Sequence, residues 1–486
     1  MARKSRSNFY ALCLLAFCLL AATISGCRAA PSAGGTDAVR GMRTYYVDAE
    51  RGDDRNPGTR REQPWQTIAQ VNRMDFAPGD RLLFAGGQTF AGTLCLQRED
   101  SGTQAQPIRI GSFGEGRAVI DGGTAGGLRL TDCAYVTVSK LAFVGSGRKN
   151  GNDGNGVELQ RTEHVELDSL DVSGFRLSGV AVLGGRNVRI TRVDAHDNGF
   201  AGISTSRDGD GARTKDLYIG HCVVRNNPGD PKNLTNHSGN GIVLYYTRGA
   251  LIEYCDASYN GWDMNNSAFN GPVGIWCANT QRAVFRYCLS HDNRTQWAKT
   301  DGGGFDFDGG TRDSLIEYCY SYDNAGAGYM FCQYANAAEL TGNTIRYSTS
   351  FNDGSAYHKS ALYLYDCGSK TLAEGGQFYR NLLYNSAGRD LVRGHIDETY
   401  IHENLMLLTG EGKFFNHEID DFGMKNRGPE RQEWGKVVYE RNREVNLDSL
   451  HVESALRQLA DYPRFQSAEE LPAYFKQLGL EEMDMG

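Results

Sequence analysis

Apolar and polar positions follow one repeating pattern between about residues 128 and 390. Short segments such as VELDSLDV, LIEYCDASYN and VFRYCLSHDN alternate the two kinds of residue and end in turn-forming residues. Alternation with a period of two predicts β-strands, and recurrence at a longer interval predicts a solenoid of stacked coils. The interval runs from 23 residues, between Leu170 and Val193, to 33 residues, between Cys222 and Cys255. One apolar column shows the repeat: Leu141, Leu170, Val193, Cys222, Cys255, Cys288, Cys319 and Ser348.

A polar column lies five positions after the last six members of the apolar one. Stacked coils would place these side chains above one another, where amide groups hydrogen-bond along the stack. The cysteines of the apolar column are expected to fill the coil interior as small apolar side chains, with a disulfide between neighbouring coils as the alternative. The predicted polar ladder is Asn198, Asn227, Asn260, Asn293, Asn324 and Asp353.

A third column begins with Gly in most coils, as in GVEL, GIVL, GIWC and GFDF. Its second and fourth positions are apolar and should point inward, so the third position should point outward. Aromatic rings stack on sugar faces and carboxylates accept hydrogen bonds from hydroxyls, so the pattern indicates an exposed sugar-binding wall. The outward positions are Glu158, Ala181, Ser204, Val243, Trp276, Asp306, Met330 and Tyr363, followed two residues on by Gln160, Tyr245, Ala278, Asp308, Cys332 and Tyr365.

Residues 42–127 should form an N-terminal cap with the first coils. The order YYVD, GDD-NPGT, PW-TI and PGD-LLF resembles the N-terminal region of secreted right-handed parallel β-helix proteins of the polysaccharide lyase and glycoside hydrolase type. The resemblance implies an all-β chain with a right-handed parallel β-helix over 128–430. Residues 431–486 should be a tail, ending in amphipathic helices that cover the open end of the stack.

The N-terminus has the features of a targeting segment. Arg3, Lys4 and Arg6 precede the apolar run of residues 10–22, which is short for a membrane span. The following residues 24–27, Ile-Ser-Gly-Cys, resemble the lipobox of bacterial lipoproteins. The resemblance implies a signal peptide over 1–26, lipidation of Cys27, a flexible tether over 27–41 and a place in the cell envelope.

The composition of the chain narrows the kinds of molecule that the protein is expected to bind. The chain has 60 Gly, 25 Tyr and 21 Phe among 486 residues and a net charge of −8. It contains no long basic run, which argues against nucleic acid. We expect a monomer that touches the membrane only through its lipid.

The segment KTDGGGFDFDGG, residues 299–310, concentrates charge within the third column. Asp306 and Asp308 share one strand face, with Cα atoms roughly 6.5–7 Å apart. Long insertions before neighbouring strands, such as NPGDPKNLTNHSGN, are typical of a binding cleft on one edge of a solenoid. The candidate catalytic residues are Asp301, Asp306, Asp308, His358 and Lys359, and the candidate substrate-binding residues are Trp276, Tyr245, Tyr363, Tyr365, His237, Asn270 and Lys299, with Asp263 as a further neighbour.

Three functions fit these residues. In a glycoside hydrolase, Asp306 with Asp308 or Asp301 would supply acid and base. Thr300-Asp301-Gly302 weakly resembles part of the acidic motif of β-helix pectin hydrolases. The acidic pair supports hydrolysis directly, whereas elimination needs a metal ion and a base, so hydrolysis is slightly favoured.

The first alternative is a calcium-dependent polysaccharide lyase. Asp301, Asp306 and Asp308 would then bind Ca²⁺, and Lys359, Lys299 or His358 would act as the base. The second alternative is a non-catalytic glycan-binding surface protein, in which the same segment is a polar strand with tight turns.

Overall fold

The computed structural model describes residues 41–264, 270–296, 300–334, 336–366, 373–374, 376–418 and 436–482. These residues form three long parallel sheets, and most coils contribute one strand to each sheet. The predicted right-handed parallel β-helix is therefore confirmed. Within the described ranges, no helix has the length and apolarity needed to span a membrane.

Sheet 1 holds 14 of the described strands. In stacking order they are Thr44–Val47, Arg81–Ala85, Ile108–Phe113, Ala134–Ser139, Glu163–Asp168, Arg186–Thr191, Thr214–Gly220, Thr247–Glu253, Gln281–Arg286, Leu315–Glu317, Thr344–Arg346, Gln377–Tyr379, Thr399–His402 and Val437–Glu440.

Sheet 2 holds 12 described strands and contains the third column of the sequence. Its strands are Leu94–Leu96, Leu128–Thr131, Val157–Gln160, Ser178–Leu183, Ala201–Ser206, Asn240–Tyr245, Val273–Ala278, Gly303–Asp308, Tyr329–Gln333, Ser360–Asp366, Asp390–Gly394 and Phe415–Asn416.

Sheet 3 holds 13 described strands, most of them three residues long. They are Thr89–Ala91, Ala118–Gly123, Leu141–Gly145, Asp171–Ser173, Asp194–His196, Val223–Arg225, Asp256–Ser258, Leu289–His291, Tyr320–Tyr322, Thr349–Phe351, Leu382–Asn385, Leu405–Leu408 and Arg443–Asn446.

The core is the interior of the coils. Phe305 and Phe307 are fully buried there, as the alternation of their strand requires. Cys222, Cys255, Cys288 and Cys319 are buried as free thiols, so the interior packing predicted for them is confirmed and the alternative disulfide is absent from these four.

The amide ladder forms as predicted. Asn260 Nδ2 donates to Asn293 Oδ1 at 3.0 Å, and Asn293 Nδ2 donates to Asn324 Oδ1 at the same distance. Asn324 Nδ2 donates to Asp353 Oδ1 at 2.9 Å. Because these neighbouring coils are fixed to each other at this turn, the sheet 2 strands that follow the ladder are held in register.

The N-terminal cap closes one end of the stack. Helix α1, Ile68–Val71, begins after the N-cap Thr67, and the Trp65 ring stacks on Tyr45 with a centroid distance of 4.9 Å.

The described part of the C-terminal segment packs against the side of the stack, and its covering of the open end stays a prediction. Strands Val437–Glu440 and Arg443–Asn446 first continue the stack past residue 430. Helix α2 (Ser454–Gln458), the 3₁₀ helix Ala468–Glu470 and helix α3 (Leu471–Leu478) follow. The segment lies along the outer face of sheet 3, where Phe465 and Tyr474 contact Tyr320. The outer face of sheet 3 carries aromatic residues that would otherwise be exposed to water. Burying them favours the position of the C-terminal segment.

Candidate functional site

The candidate site lies on the outer face of sheet 2, around the strand Gly303–Asp308. Its register is the predicted one, because Asp306 pairs with Trp276 on one side and Met330 on the other. Tyr363 follows Met330 in the next coil, and Cys332 separates Asp308 from Tyr365. The aromatic and acidic side chains therefore do form one continuous row.

The row is not the exposed wall that we predicted. Trp276 is 3% exposed, Asp306 2% and Tyr363 6%, and Trp276 and Tyr363 belong to an apolar cluster separate from the coil interior. Large side chains on strands spaced about 4.8 Å apart fill the space between them. His237, from the loop before the strand Asn240–Tyr245, also packs its ring 4.8 Å from the Trp276 ring.

The carboxyl group of Asp306 is buried. Among the described residues, its Oδ1 atom has no hydrogen-bond partner. Burial raises the pKa of Asp306 well above its usual range, and the charges of Asp308 and Asp301 raise this pKa further. Burial therefore favours the neutral, protonated form of Asp306.

Asp308 lies on the same face but is partly exposed. Burial raises the pKa of Asp308 to about 7, although the Gly309 amide, donating to Oδ1 at 2.7 Å, opposes the rise. A carboxyl group with such a pKa holds or releases a proton near neutral pH, which is what general acid–base chemistry requires.

Asp301 lies at the turn that leads into the strand. Its Oδ2 atom accepts from the Gly271 amide at 2.6 Å, and its own N–H donates to His358 Nε2 at 2.9 Å. Asp301 and Gly302 both have left-handed backbone conformations, with φ of 57° and 77°. This double turn brings the Asp301 carboxylate to the edge of the site.

The bond from the Asp301 amide fixes the tautomer of His358. Since Nε2 accepts, the neutral ring carries its hydrogen on Nδ1, and the 3.2 Å approach of Asp301 Oδ1 to Nε2 is then a contact without a shared proton. The His358 ring also lies 4.0 Å from the Tyr363 ring. Lys359, the next residue, is exposed.

A second polar group lies one coil before the acids. Asn240 Nδ2 donates to His237 Nδ1 at 3.0 Å, so the ring hydrogen is on Nε2 and is donated to Tyr245 Oη at 2.7 Å. Asn240 Oδ1 accepts from Trp276 Nε1 at 3.0 Å. Burial lowers the pKa of His237 to about 4, which keeps the ring neutral. Sequence reasoning missed Asn240, since an uncharged residue at a strand start gives no signal of its own.

The remaining candidate residues lie in different surroundings. Tyr365 is partly exposed and its ring lies 6.0 Å from that of Tyr363. Asn270 is exposed and donates to Asn236 Oδ1 at 2.6 Å. Asp263 instead forms ion pairs with Arg148 and Lys149. Lys299 and Cys27 lie outside the described residues.

Calcium at Asp301, Asp306 and Asp308 remains a prediction. Within the described part of the chain, the group whose ligand atoms lie within 4.8 Å of one another is Asp171, Asp194 and His196, on sheet 3. The hydrogen bonds that the His196 ring donates to Asp171 and Asp197 raise the pKa of His196 to about 9. The protonated ring offsets one of the two carboxylate charges of this group, and Arg225 contacts Asp194 at 2.9 Å.

Comparisons with known proteins agree with the fold. The sequence model described as Pel9A-like, right handed beta helix region matches residues 45–362. The lacto-N-biosidase of Bifidobacterium longum subsp. longum is 23% identical over 75% of this chain and 29% of its own length. Pectate lyase L of Paenibacillus polymyxa is 23% identical over 55% of this chain and 56% of its own length.

A solved structure shows the same architecture. The GH136 lacto-N-biosidase from Eubacterium ramulus superposes with a TM-score of 0.57 at 21% identity, covering 83% of this chain and 67% of that chain. This likeness shows the fold alone. The chain spans 29% and 56% of the two curated relatives above, so their activities are not transferred with the fold.

Proposed function

We propose, starting from the fact that the chain belongs to the Pel9A-like right-handed β-helix family, that it cleaves a polysaccharide by acid–base glycoside hydrolysis. The proposal rests on the partial exposure and the raised pKa of Asp308. Its carboxyl group reaches the surface of the site and its pKa is raised to about 7 by burial. A general acid for a glycosidic oxygen needs a proton that is retained near neutral pH and can still be given up.

Hydrolysis also needs a second carboxyl group, and Asp301 is the best placed for that role. The Gly271 amide orients its carboxyl group at the edge of the site, the His358 ring accepts from its backbone N–H, and its side chain is 17% exposed. Asp306 is too deeply buried to reach a substrate in this structure. We assign it a positioning role, in which its buried side chain packs beside Asp308 and its neutral form, which burial favours, adds no negative charge there.

The lyase alternative keeps specific support from the match to a pectate lyase. Elimination would need a cation to neutralise a uronate and a base, for which exposed Lys359 is available. His358 is a poorer base here because its Nε2 lone pair already accepts the Asp301 amide.

A substrate screen separates the two reactions. Purified protein is incubated with plant, algal and host glycans, with added Ca²⁺ or with a chelator. Hydrolysis predicts new reducing ends, no near-ultraviolet absorbance from an unsaturated product, and no effect of the chelator. Chelator-sensitive absorbance would contradict hydrolysis and favour the lyase. Retention of a glycan without any cleavage would favour the binding protein.

Three variants connect the activity to the site. Asp308→Asn and Asp301→Asn should each lower the rate about 10²- to 10⁴-fold, whereas Asp306→Asn should lower it less, because Asn is also neutral. Asp353→Asn is the matched control, since Asp353 is another buried carboxyl group with a pKa raised to about 7 but lies in the amide ladder. The control should retain wild-type activity.

The location of the protein is a separate proposal. The resemblance of residues 24–27 to a lipobox supports a lipid anchor on Cys27 in the bacterial cell envelope. Fatty-acid labelling of the expressed protein should be lost in Cys27→Ser, and equal labelling of that variant would contradict the anchor.

A further inference from the structure

Exposed apolar side chains are concentrated in one place outside the candidate site. Tyr259 is 52% exposed, Trp262 44% and Val223 36%, and these are three of the seven large apolar side chains exposed in the described part of the chain. Tyr259 and Trp262 line an open groove of about 490 Å³ beside the turn between sheets 3 and 2. Arg225, Asn226, Asp292 and Arg294 complete its lining.

The two rings are held in fixed orientations. Trp262 Nε1 donates to Asn226 Oδ1 at 2.8 Å, which leaves the indole face open while its polar edge is satisfied. The Tyr259 ring meets the His291 ring edge to face at 5.7 Å. Rings that are fixed and exposed lose little conformational entropy when a ligand stacks on them.

Charge in the groove favours an acidic ligand. Two guanidinium groups line it against one carboxylate, although the protein as a whole has a net charge of −8. The Arg225 side chain is 44% exposed and the Arg294 side chain 52%. Each contacts one carboxylate, Asp194 at 2.9 Å and Asp292 at 3.5 Å, and a guanidinium group has five N–H donors. Donors therefore remain for a carboxylate of the ligand.

The groove belongs to the same coils as the candidate site. The segment that carries Trp262 leads to the strand Val273–Ala278, and the one that carries Arg294 leads to the strand Gly303–Asp308. A bound polymer would thus be held by the coils that also present Trp276 and Asp308.

We propose that this groove is a second glycan-binding site, which stacks sugar rings on Trp262 and Tyr259 and binds the carboxylate of an acidic sugar through Arg225 and Arg294. The choice of a glycan as the ligand rests on the proposed function, whereas the groove itself contains neither Asp301 nor Asp308.

The test uses the full protein with Asp308→Asn, so that any substrate stays intact. Affinity electrophoresis is run with a uronate-containing polysaccharide, polygalacturonate, and with a neutral one, galactan. Polygalacturonate should retard the protein, and adding Trp262→Ala should weaken this binding about tenfold or more. Arg294→Gln should weaken polygalacturonate binding as well. Tyr400→Ala removes an exposed ring on sheet 1 and should have no effect.

Equal retardation of the Trp262→Ala protein would overturn the proposal, and so would equal binding of the neutral polymer. Cleavage of a short oligosaccharide by the Trp262→Ala enzyme should remain at the wild-type rate. If no glycan is cleaved but binding still depends on Trp262, the proposed function fails while this site stands. If a glycan is cleaved but binding does not depend on Trp262, this second site fails while the proposed function stands.

Discussion

At the scale of single residues, three neighbouring aspartates differ because their surroundings differ. Asp306 lies inside an apolar cluster, Asp308 reaches the surface, and Asp301 is oriented by an amide and a histidine. Burial favours the neutral form of the first two carboxyl groups. One short sequence, TDGGGFDFD, thereby supplies a buried acid whose neutral form is favoured, an acid with a pKa raised to about 7, and a third carboxyl group oriented by a backbone amide.

Asn240 is the residue-scale link between His237 and Trp276. In Asn240→Ala, His237 Nδ1 and Trp276 Nε1 lose their partners while they remain buried. We expect the free energy of unfolding to fall by roughly 1–3 kcal/mol for each unsatisfied group. Chemical denaturation of both proteins measures this. Asn236→Ala, at a partly exposed loop position nearby, is the control. Equal stability of the Asn240→Ala and wild-type proteins would show that the network is dispensable.

At the scale of elements, the amide ladder ends in an acid. Asp353 Oδ1 accepts from Asn324, and Ser350 Oγ donates to Asp353 Oδ2 at 2.6 Å. Burial raises the pKa of Asp353 from 3.8 to about 7. The folded protein therefore binds this proton more tightly than the unfolded chain does, so the stabilisation is complete below about pH 4 and is lost as the pH rises past 7.

Asp353→Asn should remove the loss of stability that rising pH causes in the wild-type protein. Each pKa unit corresponds to about 1.4 kcal/mol, so the variant should gain roughly 2–4 kcal/mol relative to wild type between pH 4 and pH 8. Thermal or chemical unfolding at the two pH values measures the difference. The opposite change, Asn324→Asp, should make stability more sensitive to rising pH. A pH-independent difference between the Asp353→Asn and wild-type proteins would contradict the assignment.

The periodicity of the sequence was sufficient to predict the strands, the amide ladder and which side chains of the site strand point inward or outward. Strand side chains alternate with a period of two and the coils repeat, so Phe305 inward and Asp306 outward follow directly. The burial of Asp306 was not predictable in this way, because it depends on the sizes of Trp276 and Met330 in adjacent coils. The bond between Asp301 and His358 joins residues 57 positions apart through a turn geometry that no repeat specifies.

At the scale of the whole molecule, the C-terminal segment protects one side of the solenoid. Phe465 and Tyr474 cover Tyr320, while the Tyr462 ring stacks on Phe351 at 4.9 Å. Sequence patterning predicted the helices but not their partner, since an amphipathic helix fits any apolar surface.

Truncation after residue 449 should expose this aromatic face. We expect a lower melting temperature, increased binding of a hydrophobic dye and concentration-dependent association of the truncated protein. Differential scanning calorimetry and light scattering measure these effects. Leu450→Ser alters a side chain that is 92% exposed and should behave as wild type. A truncated protein with unchanged melting and scattering would show that the segment contributes no protection.

The central claim is that Asp308 gives up and recovers a proton during cleavage of a glycosidic bond. It is tested most directly by the pH dependence of kcat/KM for wild type and Asp308→Asn on a glycan that the enzyme cleaves. The wild-type rate should fall as the pH rises above about 7, because the acid loses its proton. In the variant the rate should be at least about 100-fold lower and this fall should disappear. A variant that keeps both the wild-type rate and the same fall near pH 7 would contradict the account.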